Sequence, residues 1–147
     1  MRIDLHIHST ASDGSLSPKE ILNQAQRLNL GAIAITDHDT IDGSKEAIAT
    51  GIPSSLKFLT GVEISAEPPP SFSISGSIHI LGYAIDINDS LLNQTLLVLQ
   101  KSRRDRNPRI LKLLAGLGIE LTLDEIRSEA GDCQLGRPHI AQTMVSR

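Results

Sequence analysis

His6 and His8 stand two apart, and residues at that spacing on an extended strand point to one face, so both imidazoles can meet a single ion. Alone, the pair could be no more than the polar side of a surface strand. Asp13, His38, Glu63 and His79 enlarge the set, giving six nitrogen and oxygen donors and no sulfur. Such a set suits Mn, Fe or Zn without choosing among them. A carboxylate such as Glu63 can bridge two ions, and paired ions generate hydroxide near neutral pH while neutralising the charge on phosphate oxygens. Hydrolysis of a phosphate ester is the chemistry that follows.

For these residues to meet, the elements carrying them must converge. Residues 2–8 alternate Ile3, Leu5 and Ile7 with Asp4, His6 and His8, the period of a strand. Ser17-Pro18-Lys19-Glu20 is a capping box with proline at the first helical position, followed by Ile21, Leu22, Ala25 and Leu28, and Gly31 is expected to end that helix. Residues 32–36 form an apolar run that reads as a strand covered on both faces, running into Asp37-His38-Asp39. A short helix around 44–49, a strand over 57–64, a Pro- and Ser-rich loop from Pro68 to Ser77 and a strand region over 78–87 continue the pattern. Repeated β-α-β steps predict a parallel sheet or barrel, whose strand ends share one rim. Asp13 follows the first strand, His38 the second, Glu63 lies near the end of the third and His79 falls in the fourth.

Asp4, Asp37, Asp39 and Asp42 flank the set and are expected to orient imidazoles by accepting their second N–H. Asp42-Gly43 also reads as a simple turn. From residue 90 the pattern becomes helical, with a kink or break predicted at Asn107-Pro108 and helices opening at Thr122-Leu123-Asp124-Glu125 and at Arg137-Pro138. The chain thus divides into an α/β part, 1–89, and a helical segment, 90–147. Six of the fourteen Lys and Arg residues, including Arg103 and Arg106, fall between 101 and 112, where they either attract phosphate or form a solvated helix face. In Gly136-Arg137-Pro138-His139, Arg137 beside a helix N-terminus offers bidentate donors to an anion.

Composition bounds the reading. With 147 residues, 39% apolar and 2% aromatic, the chain suffices for one domain with an aliphatic core. A net charge of -3 argues neither for nucleic acid nor for a membrane surface. Cys133 is the only cysteine, which excludes an internal disulfide and suits a reducing cytoplasm. No run approaches 18 apolar residues, and the N-terminus has no signal-peptide pattern.

The segments Asp4-Leu5-His6-Ile7-His8-Ser9-Thr10-Ala11-Ser12-Asp13-Gly14, Thr36-Asp37-His38-Asp39-Thr40, Gly61-Val62-Glu63-Ile64-Ser65 and His79-Ile80-Leu81-Gly82-Tyr83 resemble the PHP (polymerase and histidinol phosphatase) family. With the Arg-rich helix and Gly136-Arg137-Pro138-His139, they look most like its stand-alone phosphoesterases of nucleoside bisphosphates and short RNA. The resemblance implies an α/β fold, the N-terminal part of a distorted (β/α)7 barrel with a helical insertion. It also implies two to three divalent metal ions. His6, His8 and Glu63 would serve one ion, Glu63 and His79 a second, and Asp13 with His38 a third. Asp13, Arg137 and His139 would be catalytic, with Arg137, His139, Arg103 and Arg106 holding the substrate phosphate.

The family closes its barrel with a later Asp-x-His segment that has no match after His79, where Asp132-Cys133-Gln134 lacks the histidine. This predicts a shortened form with an open sheet edge, through which a second copy could associate. The competing readings are a histidinol-phosphate-type phosphatase and a non-catalytic metal-binding PHP module.

Overall fold

The computed structural model describes residues 1–69, 71, 76, 78–131 and 133–147. Its elements run β1 (Arg2–Ile7), α1 (Pro18–Arg27), β2 (Leu30–Ile35), α2 (Asp42–Thr50), β3 (Lys57–Ala66), β4 (Ile78–Tyr83), α3 (Ser90–Gly116), α4 (Leu123–Ala130) and α5 (Arg137–Val145). The strands form one sheet in the order β1-β2-β3-β4, the first three parallel and β4 antiparallel to β3. The α/β class expected from the sequence holds. The β-α-β steps give the parallel β1, β2 and β3 they predict, and β4, reached through a loop, adds what they do not specify: only an antiparallel β4 brings its beginning, with His79 opposite Ser65, to the end of β3.

Ile33, Ala34 and Ile35 of β2 are fully buried, as their uninterrupted apolar run requires. Ile21, Leu22 and Ala25 of α1 and Ala47 of α2 pack with Ile33, Ile35 and Leu56 into the main core. The Ser17 capping box forms as expected, its hydroxyl accepting from the Glu20 N–H. Gly31 does not end α1. Leu28 caps the helix and Asn29, at φ 52, reverses the chain, a conformation asparagine tolerates. Gly31 instead lies inside β2, where an added Cβ would run into the Met1 side chain. Asp42 opens α2 instead of making a simple turn, its carboxylate accepting from the Thr40 hydroxyl at 2.9 Å. β4 stops at Tyr83, four residues short of the expected end, because Ala84 turns to φ 53. Most of the loop expected between Pro68 and Ser77 lies outside the described residues.

The predicted break at Pro108 is also absent, and α3 runs unbroken through 27 residues. Pro108 removes the N–H that would serve the Arg104 carbonyl, yet both residues are exposed, so water can take that carbonyl's place in the ladder. Leu96 seats the first half of α3 on Ile41 and Val62. Leu111, Leu121, Ile126 and Ile140 form a separate core among the end of α3, α4 and α5. Among the described residues, no helix is long and apolar enough to cross a membrane.

Gly43 shows how tightly α2 is seated, since a Cβ there would collide with the Asp37 carboxylate and come within 2.5 Å of the Ser9 hydroxyl. Alanine favours helix over glycine by about 1 kcal/mol, but overpacking a buried site costs about 1–3 kcal/mol. Gly43→Ala is therefore expected to lower the urea midpoint; an unchanged or raised midpoint would show that the contact is slack.

Candidate metal centre

Glu63 is the hub. Its side chain is only 6% exposed, and its Oε2 lies 2.9 Å from His6 Nε2, 2.9 Å from His8 Nε2 and 3.7 Å from His38 Nδ1. The other oxygen, Oε1, lies 2.5 Å from His79 Nδ1. Asp13 closes the far side, with Oδ1 3.2 Å from His8 Nδ1 and Oδ2 3.6 Å from His38 Nε2. The His6–His8, His8–His38 and His38–His79 ring centroids follow at 5.2, 4.6 and 4.9 Å. All six residues singled out from the sequence thus meet in one place.

Backbone pairing fixes this meeting. His38 and Glu63 form a parallel bridge just beyond β2 and within β3, the Glu63 N–H donating to the Asp37 carbonyl at 3.0 Å and the Asp39 N–H to the Glu63 carbonyl at 2.9 Å. The Asp13 loop is held by Asp37, which is 1% exposed and accepts from the Ser9 N–H, the Ser9 hydroxyl and the Ser12 hydroxyl at 2.6, 2.6 and 2.7 Å. Burial raises the pKa of Asp37, and the Ser9 and Ser12 bonds pull it back. Gly14 fits this loop because a Cβ would strike the His8 carbonyl.

Three overlapping groups of ligand atoms lie within 4.8 Å of one another: His6, His8 and Glu63; His8, Asp13 and His38; and His38, Glu63 and His79. His38 adds a second sign that the cluster suits cations. Its Nδ1 is buried with no hydrogen-bond partner among the described residues, and an orphaned ring nitrogen facing carboxylates is what a cation would satisfy.

Residues 4–113 match the family model described as PHP domain. This chain belongs to the PHP family. It is 34% identical to a 5'-3' exoribonuclease of Haemophilus influenzae over 144 residues, covering 98% of this chain and 50% of that protein. It is 31% identical to a 3',5'-nucleoside bisphosphate phosphatase of Chromobacterium violaceum, covering 97% of this chain and 49% of that one. A crystal structure of a candidate metal-dependent phosphoesterase from Bifidobacterium adolescentis superposes with a TM-score of 0.84 at 29% identity, covering 99% of this chain and 50% of the other. The PHP chain therefore spans about half the length of the relatives it matches.

The four flanking aspartates do not orient imidazoles by the hydrogen bonds the sequence suggested. Asp4 accepts the His6 backbone N–H at 3.2 Å, Asp37 holds the loop, and Asp42, the first residue of α2, accepts from the Thr40 hydroxyl. Asp39, itself at φ 54 and 1% exposed, accepts from Arg103 Nε at 2.6 Å and from the Ser65 N–H at 2.7 Å. Arg103 also donates to the Ser65 hydroxyl at 2.8 Å, so this buried guanidinium ties α3 to the rim of the sheet. Arg106 differs: its Nε and one NH2 are buried without a partner among the described residues, and burial, then Arg103 and Arg137, lower its pKa. Arg137 is exposed at the start of α5, and His139 Nδ1 accepts the Gly136 N–H at 3.0 Å. Ser9, Ser12 and Ser65 escaped the sequence reading, although the first two precede Asp13 on its loop.

Charge within the PHP centre is polarised. Burial, then the Arg103 charge, push His38 down to about 4. Burial opposes ionisation of Asp13, but its bond to His8 and the charge of His38 outweigh it and hold the carboxyl at about 2. The Asp13 bond raises His8 against the cost of burial, and contacts from His6 and His79 hold Glu63 below its usual value despite burial.

Two predictions follow from these contacts. In the metal-free protein the unfolded chain binds more protons than the folded one at His38 between about pH 4 and 6.5, so stability rises with pH across that window. His38→Ala should flatten that part of a plot of denaturation midpoint against pH; an unchanged slope would contradict the assignment. Arg103→Ala leaves Asp39 buried without its cation, which should cost about 3–5 kcal/mol in chemical denaturation.

Proposed function

We propose that this PHP chain is the metal-binding part of a hydrolase that cleaves phosphate esters of nucleotides or short oligonucleotides. The observation that carries the reading is the Glu63 hub, a buried carboxylate between four imidazoles with Asp13 across from it. The names of the Haemophilus influenzae and Chromobacterium violaceum relatives support the substrate class. His6, His8 and Glu63 would hold one divalent ion, and His38, Glu63 and His79 a second. Asp13 with His38 or His8 would hold a third, giving two to three of Mn, Fe or Zn. Such ions supply Lewis-acid charge for a phosphoryl group and a source of hydroxide near neutral pH.

The chain's own side chains would do the rest. A cavity of about 720 Å3 is lined by Arg103, Arg106, Arg109 and Arg137. With Arg103 engaged by Asp39, the free donors of Arg106 and the exposed fork of Arg137 are the groups to hold phosphate oxygens. His139 carries its proton on Nε2, because Nδ1 accepts the Gly136 N–H, and so offers a donor beside Arg137. Asp13 would position the attacking water from the loop that Asp37 braces. The lone Cys133 and the lack of a membrane-length helix among the described residues favour action in the cytoplasm. β1, an edge strand with Ile3 53% exposed, favours pairing with a second copy.

Metal analysis and phosphate release together test the reading. The protein loaded with Mn should release phosphate from adenosine 3',5'-bisphosphate or nucleotides from short 5'-phosphorylated RNA in preference to histidinol phosphate. Glu63→Ala should lose bound metal and at least the roughly 10–100-fold in activity that loss of even a supporting residue costs at metal sites. A purified chain that binds no Mn, Fe or Zn would sink the proposal.

A further inference from the structure

We infer that a second cavity, on the Asp13 side of α3, is a nucleobase pocket in which Asn107 and Gln134 pair with the hydrogen-bonding edge of a base. The cavity measures about 370 Å3, within the ~300–1,000 Å3 usual for small-ligand sites. Asn107 is only 3% exposed, and its Nδ2 donates to the Leu135 carbonyl at 3.0 Å. That bond fixes the amide's orientation and leaves Oδ1 buried with no partner among the described residues. Gln134, also on the cavity wall, has its Nε2 buried and unpartnered in the same way. A fold leaves two such groups idle only at a cost, so a ligand that completes them is the natural occupant.

The pair selects the chemistry. Two residues of the cavity wall thus carry one unpaired acceptor and one unpaired donor, and every nucleobase carries a donor beside an acceptor on its Watson–Crick edge, the edge that amide side chains read. A phosphate offers acceptors alone, so it would answer Gln134 Nε2 and the Arg104 and Arg127 that also line the cavity, but would leave Asn107 Oδ1 unpaired. Leu135 supplies an apolar wall, and the Arg104 guanidinium lining the cavity provides a plane on which a base can stack.

The location fits a nucleotide whose phosphate is elsewhere. Ala11, two residues before Asp13, lines the cavity, and Gly136 follows Leu135 so closely against the metal loop that a Cβ there would lie 3.8 Å from Asp13 Oδ2. A base held by Asn107 and Gln134 thus has Asp13 at its border, where its phosphate would be processed. This orientation rests on the phosphoesterase reading, but the pocket's preference for a base does not.

Calorimetry on the full, metal-free chain tests the pocket without relying on turnover, using adenosine 5'-phosphate, ribose 5-phosphate and inorganic phosphate as probes. Adenosine 5'-phosphate should bind about tenfold more tightly than ribose 5-phosphate. Gln134→Leu, which removes an unpartnered group and leaves the Leu135 anchor intact, should erase about three- to tenfold of that difference and leave ribose 5-phosphate unaffected. Asn107→Leu should do the same, with a circular dichroism melt to separate lost binding from lost folding. Equal binding of the two sugar phosphates would overturn the inference. So would phosphate binding that Arg104→Ala abolishes while Gln134→Leu leaves adenosine 5'-phosphate unchanged. Base-dependent binding in a chain that takes up no metal would uphold the pocket and reject the hydrolase.

Discussion

A carboxylate taken out of water must be compensated, and the centre of this protein is organised around doing that for Glu63. Its side chain is 6% exposed, and four imidazoles converge on its two oxygens. Burial alone would raise its pKa, yet the contacts with His6 and His79 bring it below the usual value. To receive partners from both sides, Glu63 must stand on an interior strand. β3 is that strand, with β2 delivering His38 through the bridge at its end and β4 delivering His79. β1 reaches across with His6 and His8, and the loop behind it brings Asp13.

Two further buried carboxylates hold that arrangement in place. Asp37 and Asp39 flank His38, but their hydrogen bonds go elsewhere, and Asp39, at φ 54, has left the extended path of the strand. They act on the surroundings. Asp37 gathers Ser9 and Ser12 and so shapes the loop carrying Asp13; Asp39 takes the Ser65 N–H and Arg103 and so anchors α3. The orphaned Nδ1 of His38 sits between these supports. That geometry suits a site prepared to receive cations, with its backbone already set.

The α3 helix links the centre to both cavities. Leu96 and Arg103 fix it to the sheet, and Arg106 and Asn107 then line different spaces, one with four arginines and the other with three amides beside Arg104, Arg127 and Asp42. Both cavities carry arginines, and the unpaired amide groups of Asn107 and Gln134 are what set the first apart from the second.

The sequence by itself determined the donor set, the α/β class, the capped starts of α1 and α4 and the family, because these depend on residue type and local spacing. His6 on β1 with His8 just past its end, the Ser17 and Thr122 capping boxes and the buried run of β2 were all legible in that way. Partnership over long range was not. Nothing in the chain's local pattern says that β4 runs antiparallel, that Asp39 takes Arg103 64 residues away, or that the helix runs on past Pro108. The roles of neighbouring basic residues were equally hidden: Arg103, Arg104 and Arg106 look alike in sequence, yet one is a buried tether, one lines the amide cavity and one holds idle donors beside the other. Tertiary structure decided these points, because a polar side chain's role is set by which partner reaches it first in the folded chain, and that depends on how distant elements pack.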